Sequence, residues 1–145
     1  YLVSETALSG RGIEYLYAYW AAKEAEEPRF TTAAEIGDAA LSGDILAEQA
    51  ICQFFDILGS YIADGILATG SRHAVYLSGG IVPKLLDLLP KSQFLARAGT
   101  RGIYSDYINS VPIHLVMDPY AGLSGAGYSA LSRELSHRTI TPETA

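Results

Sequence analysis

Between Asp44 and Gly70 the apolar residues Ala47, Ile51, Phe54, Phe55, Leu58, Ile62 and Ile66 recur at three- and four-residue steps. That spacing lines one side of an α-helix of about six turns, well above the usual length in globular proteins. A rod with a continuous apolar stripe must be covered along its length, so the rest of the chain has to wrap it. Asp44 stands where an N-cap belongs, and Gly70 where a left-handed stop belongs. Glu48, Gln49, Gln53, Asp56 and Asp64 interrupt the run. No uninterrupted apolar stretch reaches the roughly 20 residues of a bilayer span, and we expect no membrane association.

The chain has 145 residues, 49% of them apolar and 18% charged. That is material for one domain with a core, and it excludes intrinsic disorder. Ten Lys and Arg against 16 Asp and Glu leave a net charge of −6. A dedicated nucleic-acid binder would need a basic face, so that class is set aside. Cys52 is the single cysteine, so no internal disulfide can form, and no Cys/His cluster has zinc-ligand spacing. The chain starts at Tyr1 without a Met or a signal-type run. We therefore expect a reducing, cytoplasmic setting and a piece of a longer protein.

Residues 1–3 read as the end of a short strand. Ser9 is placed to cap a helix over residues 10–23, with Ile13, Leu16, Tyr17 and Trp20 at helical spacing. Residues 24–30 are charged, contain Pro28 and read as a surface loop. Thr32 followed by Glu35 predicts a capping box on a helix ending near Leu41. After the long helix, residues 74–78 form a short apolar run bounded by breakers, the pattern of a buried parallel strand. Gly79-Gly80 makes the turn, and Pro83 suits the first turn of the next helix. A weak helical segment over 105–109 precedes a second buried strand over 112–117. A last helix opens at Gly122 and ends near His137, before a polar tail from Thr139. The expected class is α/β, with a short parallel sheet covered by helices.

Two glycine turns follow the two strands and precede helices, where open α/β sheets bind ligands. Gly79 and Gly80, and then Gly122, Gly125 and Gly127, let backbone approach a flat ligand or a phosphate. Neither turn is a Walker loop or a dinucleotide fingerprint, and glycine at such a turn also serves geometry alone. Glu5 precedes Leu8-Ser9-Gly10-Arg11-Gly12 and could accept sugar hydroxyls, or be a solvated carboxylate at a helix start. His73, His114 and His137 are scattered, and read as loop, strand and helix C-terminal cation. Cys52 reads as a packed thiol. Tyr15, Tyr17, Tyr19 and Trp20 offer either a contact surface or half-buried packing against the neighbouring loop.

Three segments together carry a family resemblance. Residues 4–13, Ser-Glu-Thr-Ala-Leu-Ser-Gly-Arg-Gly-Ile, resemble a stretch of the bacterial glucokinases. Val75-Tyr-Leu-Ser-Gly-Gly-Ile-Val-Pro83 resembles their adenosine segment. Val111-Pro-Ile-His-Leu-Val116 with Gly122-Leu-Ser-Gly-Ala-Gly127 resembles their terminal segment. The resemblance implies an actin- and hexokinase-type fold built from ribonuclease-H-like halves. By its terms Glu5 binds the anomeric and neighbouring hydroxyls of glucose, and Gly79 and Gly80 form the adenosine turn of the ATP site. Gly122 and Gly125 also contribute to ATP binding by its terms, at the connection through which the last helix crosses back to the small domain.

One family run appears only as residues 98–104, with Ile103 where an arginine is usual. Missing from this chain are the family's aspartate base, its first phosphate loop and its Glu-x-x-His motif. Residues 1–145 thus match the C-terminal part of the large domain, with 128–138 the crossing helix, and no residue here is expected to be catalytic. The implied function is a share in ATP-dependent phosphorylation of D-glucose to glucose 6-phosphate. Mg²⁺ would be held mainly by the part that is missing, the isolated chain would be inactive, and a homo-oligomer is expected. The alternative is a non-catalytic nucleotide- or partner-binding module, or a kinase or repressor relative for another hexose.

Overall fold

The computed structural model describes residues 3–136, with side-chain surroundings through residue 132. At its centre stands the long helix, α4 (Ile45–Thr69), preceded by α1 (Ser4–Ala7), α2 (Gly10–Lys23) and α3 (Ala33–Leu41). Strand β1 (Val75–Leu77) leads into α5 (Ile81–Lys84), a 3₁₀ stretch (Leu86–Lys91) and α6 (Phe94–Gly99). A second 3₁₀ turn (Gly102–Tyr104), α7 (Ser105–Asn109), β2 (Ile113–Leu115) and α8 (Ala121–Ser136) complete the order.

The helix boundaries follow the capping chemistry. Ser9 Oγ accepts the Gly12 N–H at 3.2 Å, and Asp44 Oδ1 accepts that of Ala47 at 3.0 Å. Thr32 and Glu35 form the reciprocal box that opens α3. Gly70, at φ +64°, ends α4 in the left-handed conformation. The other carboxylate oxygen of Asp44 pairs with Arg29, which ties the loop after α2 to the start of α4.

Ala47, Ala50, Ile51, Phe54, Phe55, Ile62, Ala63 and Ile66 of α4 are buried, and Leu58 is half-buried. Ile13, Tyr17 and Ala21 of α2, Ile36 and Ala40 of α3, and Phe94 of α6 meet them. Each large side chain fully removed from water contributes about 1.5–3 kcal/mol. α4 has the length and composition to cross a bilayer, yet here its apolar face is the middle of this core. Gly59 is buried where α6 crosses: a Cβ there would lie 2.5 Å from the Phe94 carbonyl oxygen.

β1 and β2 pair in parallel, Val75 opposite Ile113 and Leu77 opposite Leu115, with these four half-buried on the core side. Alternation turns Tyr76 and His114 outward, where their rings stack at 5.3 Å between centroids. The two apolar runs predict strands buried on both faces, but Tyr76 is 69% exposed. Among the described residues helices cover one face of the sheet and leave the other open.

Three other expectations are corrected. Val3 is extended but unpaired in any sheet, and residues 4–7 turn helical, while Tyr1 and Leu2 lie outside the described residues. The helix expected to begin around Pro83 is only the short α5, ending at Lys84 and followed by the 3₁₀ stretch and α6; Pro90 lacks the N–H that a continuous helix would need. The aromatic group after Tyr15 divides. Tyr17 is buried, with its hydroxyl accepting the Arg29 N–H at 3.3 Å, whereas Tyr15 and Tyr19 are exposed. His137 and the tail from Thr139 fall outside the described residues, as does the end of the 128–138 segment.

Candidate functional site

Glu5 sits on α1, a single turn whose placement depends on Gly12. The ideal Cβ position at Gly12 lies 2.1 Å from the Ala7 carbonyl oxygen, so α1 rests directly on the first turn of α2. Any side chain at that position would push α1 away. Thr6 Oγ1 accepts the Val3 N–H at 3.3 Å and closes the turn from the other end. The exposed Glu5 carboxylate thereby borders a cavity of about 470 Å³, together with Thr6, Ser9, Arg11 and Tyr15. It presents an acceptor, a guanidinium and a phenol, which suits a polar ligand rich in hydroxyls.

Gly79 and Gly80 leave the carboxyl end of β1. Gly79 holds φ +125°, open only to glycine without strain. Beyond it a second cavity of about 600 Å³ opens between two short walls. Gly80, Ile81, Lys84 and Leu85 form one, and the α3 positions Ala33, Ala34, Gly37, Asp38 and Leu41 form the other. Ile13 of α2 closes the floor. Its volume and mainly apolar lining are those of small-molecule sites. Arg11 and Tyr15 border the first cavity and Ile13 the second, so α2 separates the two along its opposite faces.

Gly122 and Gly125 lie exposed in the opening turns of α8, with open space at both Cβ positions. Because β1 and β2 are parallel and in register, this turn and Gly79-Gly80 leave the same edge of the sheet. Neither Gly122 nor Gly125 lines either of these cavities. Asp118 caps the turn before α8, its carboxylate accepting the Tyr120 N–H at 2.8 Å.

Burial and the nearby Glu48 and Asp56 carboxylates push the Cys52 thiol up, with Lys91 partly opposing. That holds it as a thiol, as expected of a packing residue. Among the described residues no three His, Cys, Asp or Glu side chains converge as a metal site. Of the residues singled out in the sequence, Glu5, Arg11 and Tyr15 border the first cavity and Gly80 the second, whereas Asp38 and Lys84 of the second belong to no motif and meet through the packing of α3 on α2 and of Leu85 on Gly37. The Gly-Arg-Gly stretch before Ile13 was the available signal for a close approach at Gly12.

A crystal structure of a glucokinase from an Antarctic psychrotroph superposes on 88% of this chain with a TM-score of 0.79 and 34% identity, over 40% of its own length. The fold is therefore of the actin and hexokinase class. A sequence model of the glucokinase family matches residues 1–133, and the chain belongs to that family. It is 39% identical over 122 residues to the glucokinase of Caulobacter sp. strain K31, covering 84% of this chain and 37% of that one. Against the Chromohalobacter salexigens glucokinase the identity is 40%, over 84% of this chain and 38% of the relative. The Neisseria meningitidis serogroup B glucokinase shares 35% over 133 residues, 91% of this chain and 40% of its own. The chain thus spans about two fifths of the length of the curated relatives it matches.

Proposed function

We propose that this chain is the C-terminal part of an ATP-dependent glucokinase, contributing sugar orientation and adenosine binding to phosphorylation of D-glucose. The observation that carries this reading is the pair of cavities on opposite faces of α2, one bordered by Glu5 and the other by Gly80. A phosphoryl transfer needs the sugar hydroxyl and the γ-phosphate brought together in a fixed orientation, and one rigid helix fixes the two binding sites relative to each other.

In this reading Glu5 accepts hydrogen bonds from hydroxyls of glucose and sets which hydroxyl points at the phosphate. Gly79 and Gly80 bring bare backbone against the adenosine, which lies between α3 and α5. Gly122 and Gly125 offer a second side-chain-free approach at the same sheet edge, and α8 carries the chain toward the small domain. The sugar hydroxyl attacks the γ-phosphorus in line, the bond to the β-γ bridging oxygen breaks, and ADP leaves with that electron pair. A base to take the hydroxyl proton must come from another part of the enzyme. Mg²⁺ would neutralise charge on the phosphates when bound. It would be held mainly by that other part of the enzyme. The whole protein works in the cytoplasm as a homodimer.

Thermal-shift titration of the chain with ATP and with glucose tests the reading. Stabilisation by both is expected. Response to nucleotide alone would indicate a nucleotide-binding module, and response to neither would overturn the proposal. In a full-length parent, Glu5→Gln is expected to raise the glucose KM about tenfold or more while the ATP KM stays nearly constant. An unchanged glucose KM would return Glu5 to a solvated surface carboxylate.

A further inference from the structure

The cavity beside Gly80 is lined by apolar or small residues except for two. Asp38 stands on the α3 wall and Lys84 on the α5 wall. Both side chains are exposed, and neither forms an ion pair or side-chain hydrogen bond among the described residues. Charged groups engaged in folding in this chain are paired or capping: Asp44 with Arg29, Glu48 with Lys91, Glu35 with the start of α3. Asp38 and Lys84 do neither of these things, yet they are the charged side chains that border an apolar slot.

Ala33 and Ala34, about one turn before Asp38, keep the α3 wall low, Leu85 packs on Gly37 where the two walls meet, and Ile13 and Ile81 supply apolar surface. A flat base fits against that surface, which leaves the charged ends of the walls to meet the sugar and phosphates attached to it. A carboxylate is an acceptor without a proton of its own, and it selects a ligand with a hydroxyl to give. An ammonium selects the anionic end.

We propose that Asp38 and Lys84 make this cavity selective for ribonucleotides, Asp38 accepting the ribose 2′-hydroxyl and Lys84 meeting the phosphate chain. The proposal rests on the adenosine reading of the Gly80 cavity and goes beyond it in naming which nucleotide class is preferred and by which residues.

Isothermal titration of the 145-residue chain with ATP, 2′-deoxy-ATP and adenosine tests it. The unaltered chain should bind ATP about tenfold more tightly than 2′-deoxy-ATP. Asp38→Ala should weaken ATP to within about twofold of 2′-deoxy-ATP while leaving the latter unchanged. Lys84→Met should weaken ATP about tenfold and adenosine less than twofold. Should Asp38→Ala fold poorly by circular dichroism, Asp38→Asn keeps the volume and should still narrow the ratio. Equal affinity for ATP and 2′-deoxy-ATP, or an equal loss on both after Asp38→Ala, overturns the proposal and leaves the adenosine reading standing. Absence of binding by all three nucleotides overturns the adenosine reading itself, and the selectivity with it.

Discussion

Glu35 shows how one side chain connects local sequence to the acid stability of the molecule. Its carboxylate accepts the N–H groups of Thr31 and Thr32, each at 3.1 Å, and these bonds hold its pKa below the ordinary glutamate value. A lowered folded-state pKa contributes stability above the unfolded value, and the contribution is lost as pH falls through the folded one. Glu35→Gln should therefore lower the urea midpoint at pH 7, with the difference from the parent shrinking at an acid pH below the lowered folded-state value of Glu35. A difference of equal size at both pH values would show that the charge is not involved. Cys52 runs the other way, since burial and two carboxylates raise its pKa. Iodoacetamide at pH 8 should alkylate it many-fold more slowly than free cysteine and catch up in urea. Labelling of the folded chain at the free rate would refute its packing role.

At the scale of elements, glycines on one helix have opposite roles. Gly59 and Gly65 both lie inside α4, but a Cβ at Gly59 would strike the Phe94 carbonyl whereas one at Gly65 meets open space. Gly59→Ala should destabilise by about 1–3 kcal/mol, because the backbone of α6 must retreat. Gly65→Ala should stabilise by about 1 kcal/mol through helix propensity alone. Two losses of similar size in chemical denaturation would contradict this packing of α6 on α4. Gly12→Ala goes further toward function: displacing α1 moves Glu5, so in a full-length parent it should raise the glucose KM while leaving the nucleotide cavity intact. An unaltered glucose KM would mean that α1 does not position Glu5.

The described residues form a helical body with a two-stranded sheet set against it, and its open features concern what it meets. The stacked Tyr76 and His114 face water, and the side chains of residues 122–132 on α8 are all exposed. Ile103 is 90% exposed, and Leu95, eight residues earlier, is exposed as well. An open sheet edge with exposed apolar side chains favours association, and the chain should form a homodimer or larger assembly. A monomer mass by light scattering across the micromolar range would defeat that. Purified alone, the 145 residues should show no coupled-assay turnover of glucose and ATP, because the proton acceptor and the first phosphate loop are not among them. Turnover that Glu5→Gln abolished would overturn the expectation.

By itself the sequence determined what depends on neighbours along the chain. The stripe from Ala47 to Ile66, the caps Ser9, Thr32 and Asp44, the stop at Gly70 and both strands are encoded in spacings of one to four residues. The resemblance at residues 4–13 and 75–83 singled out Glu5 and Gly80 from the same local stretches, and each borders a cavity. Tertiary structure decided what depends on residues far apart. Residue 76 faces water because no helix covers its side of the sheet, and no pattern within residues 74–78 reports what lies above them. Asp38 and Lys84, 46 positions apart in the chain, meet one cavity only because α3 packs on α2 and Leu85, next to Lys84, packs on Gly37 of α3. Gly12 shows the same division within one residue. Its presence could be read in the sequence, but the carbonyl it must admit is placed by the fold of α1 onto α2.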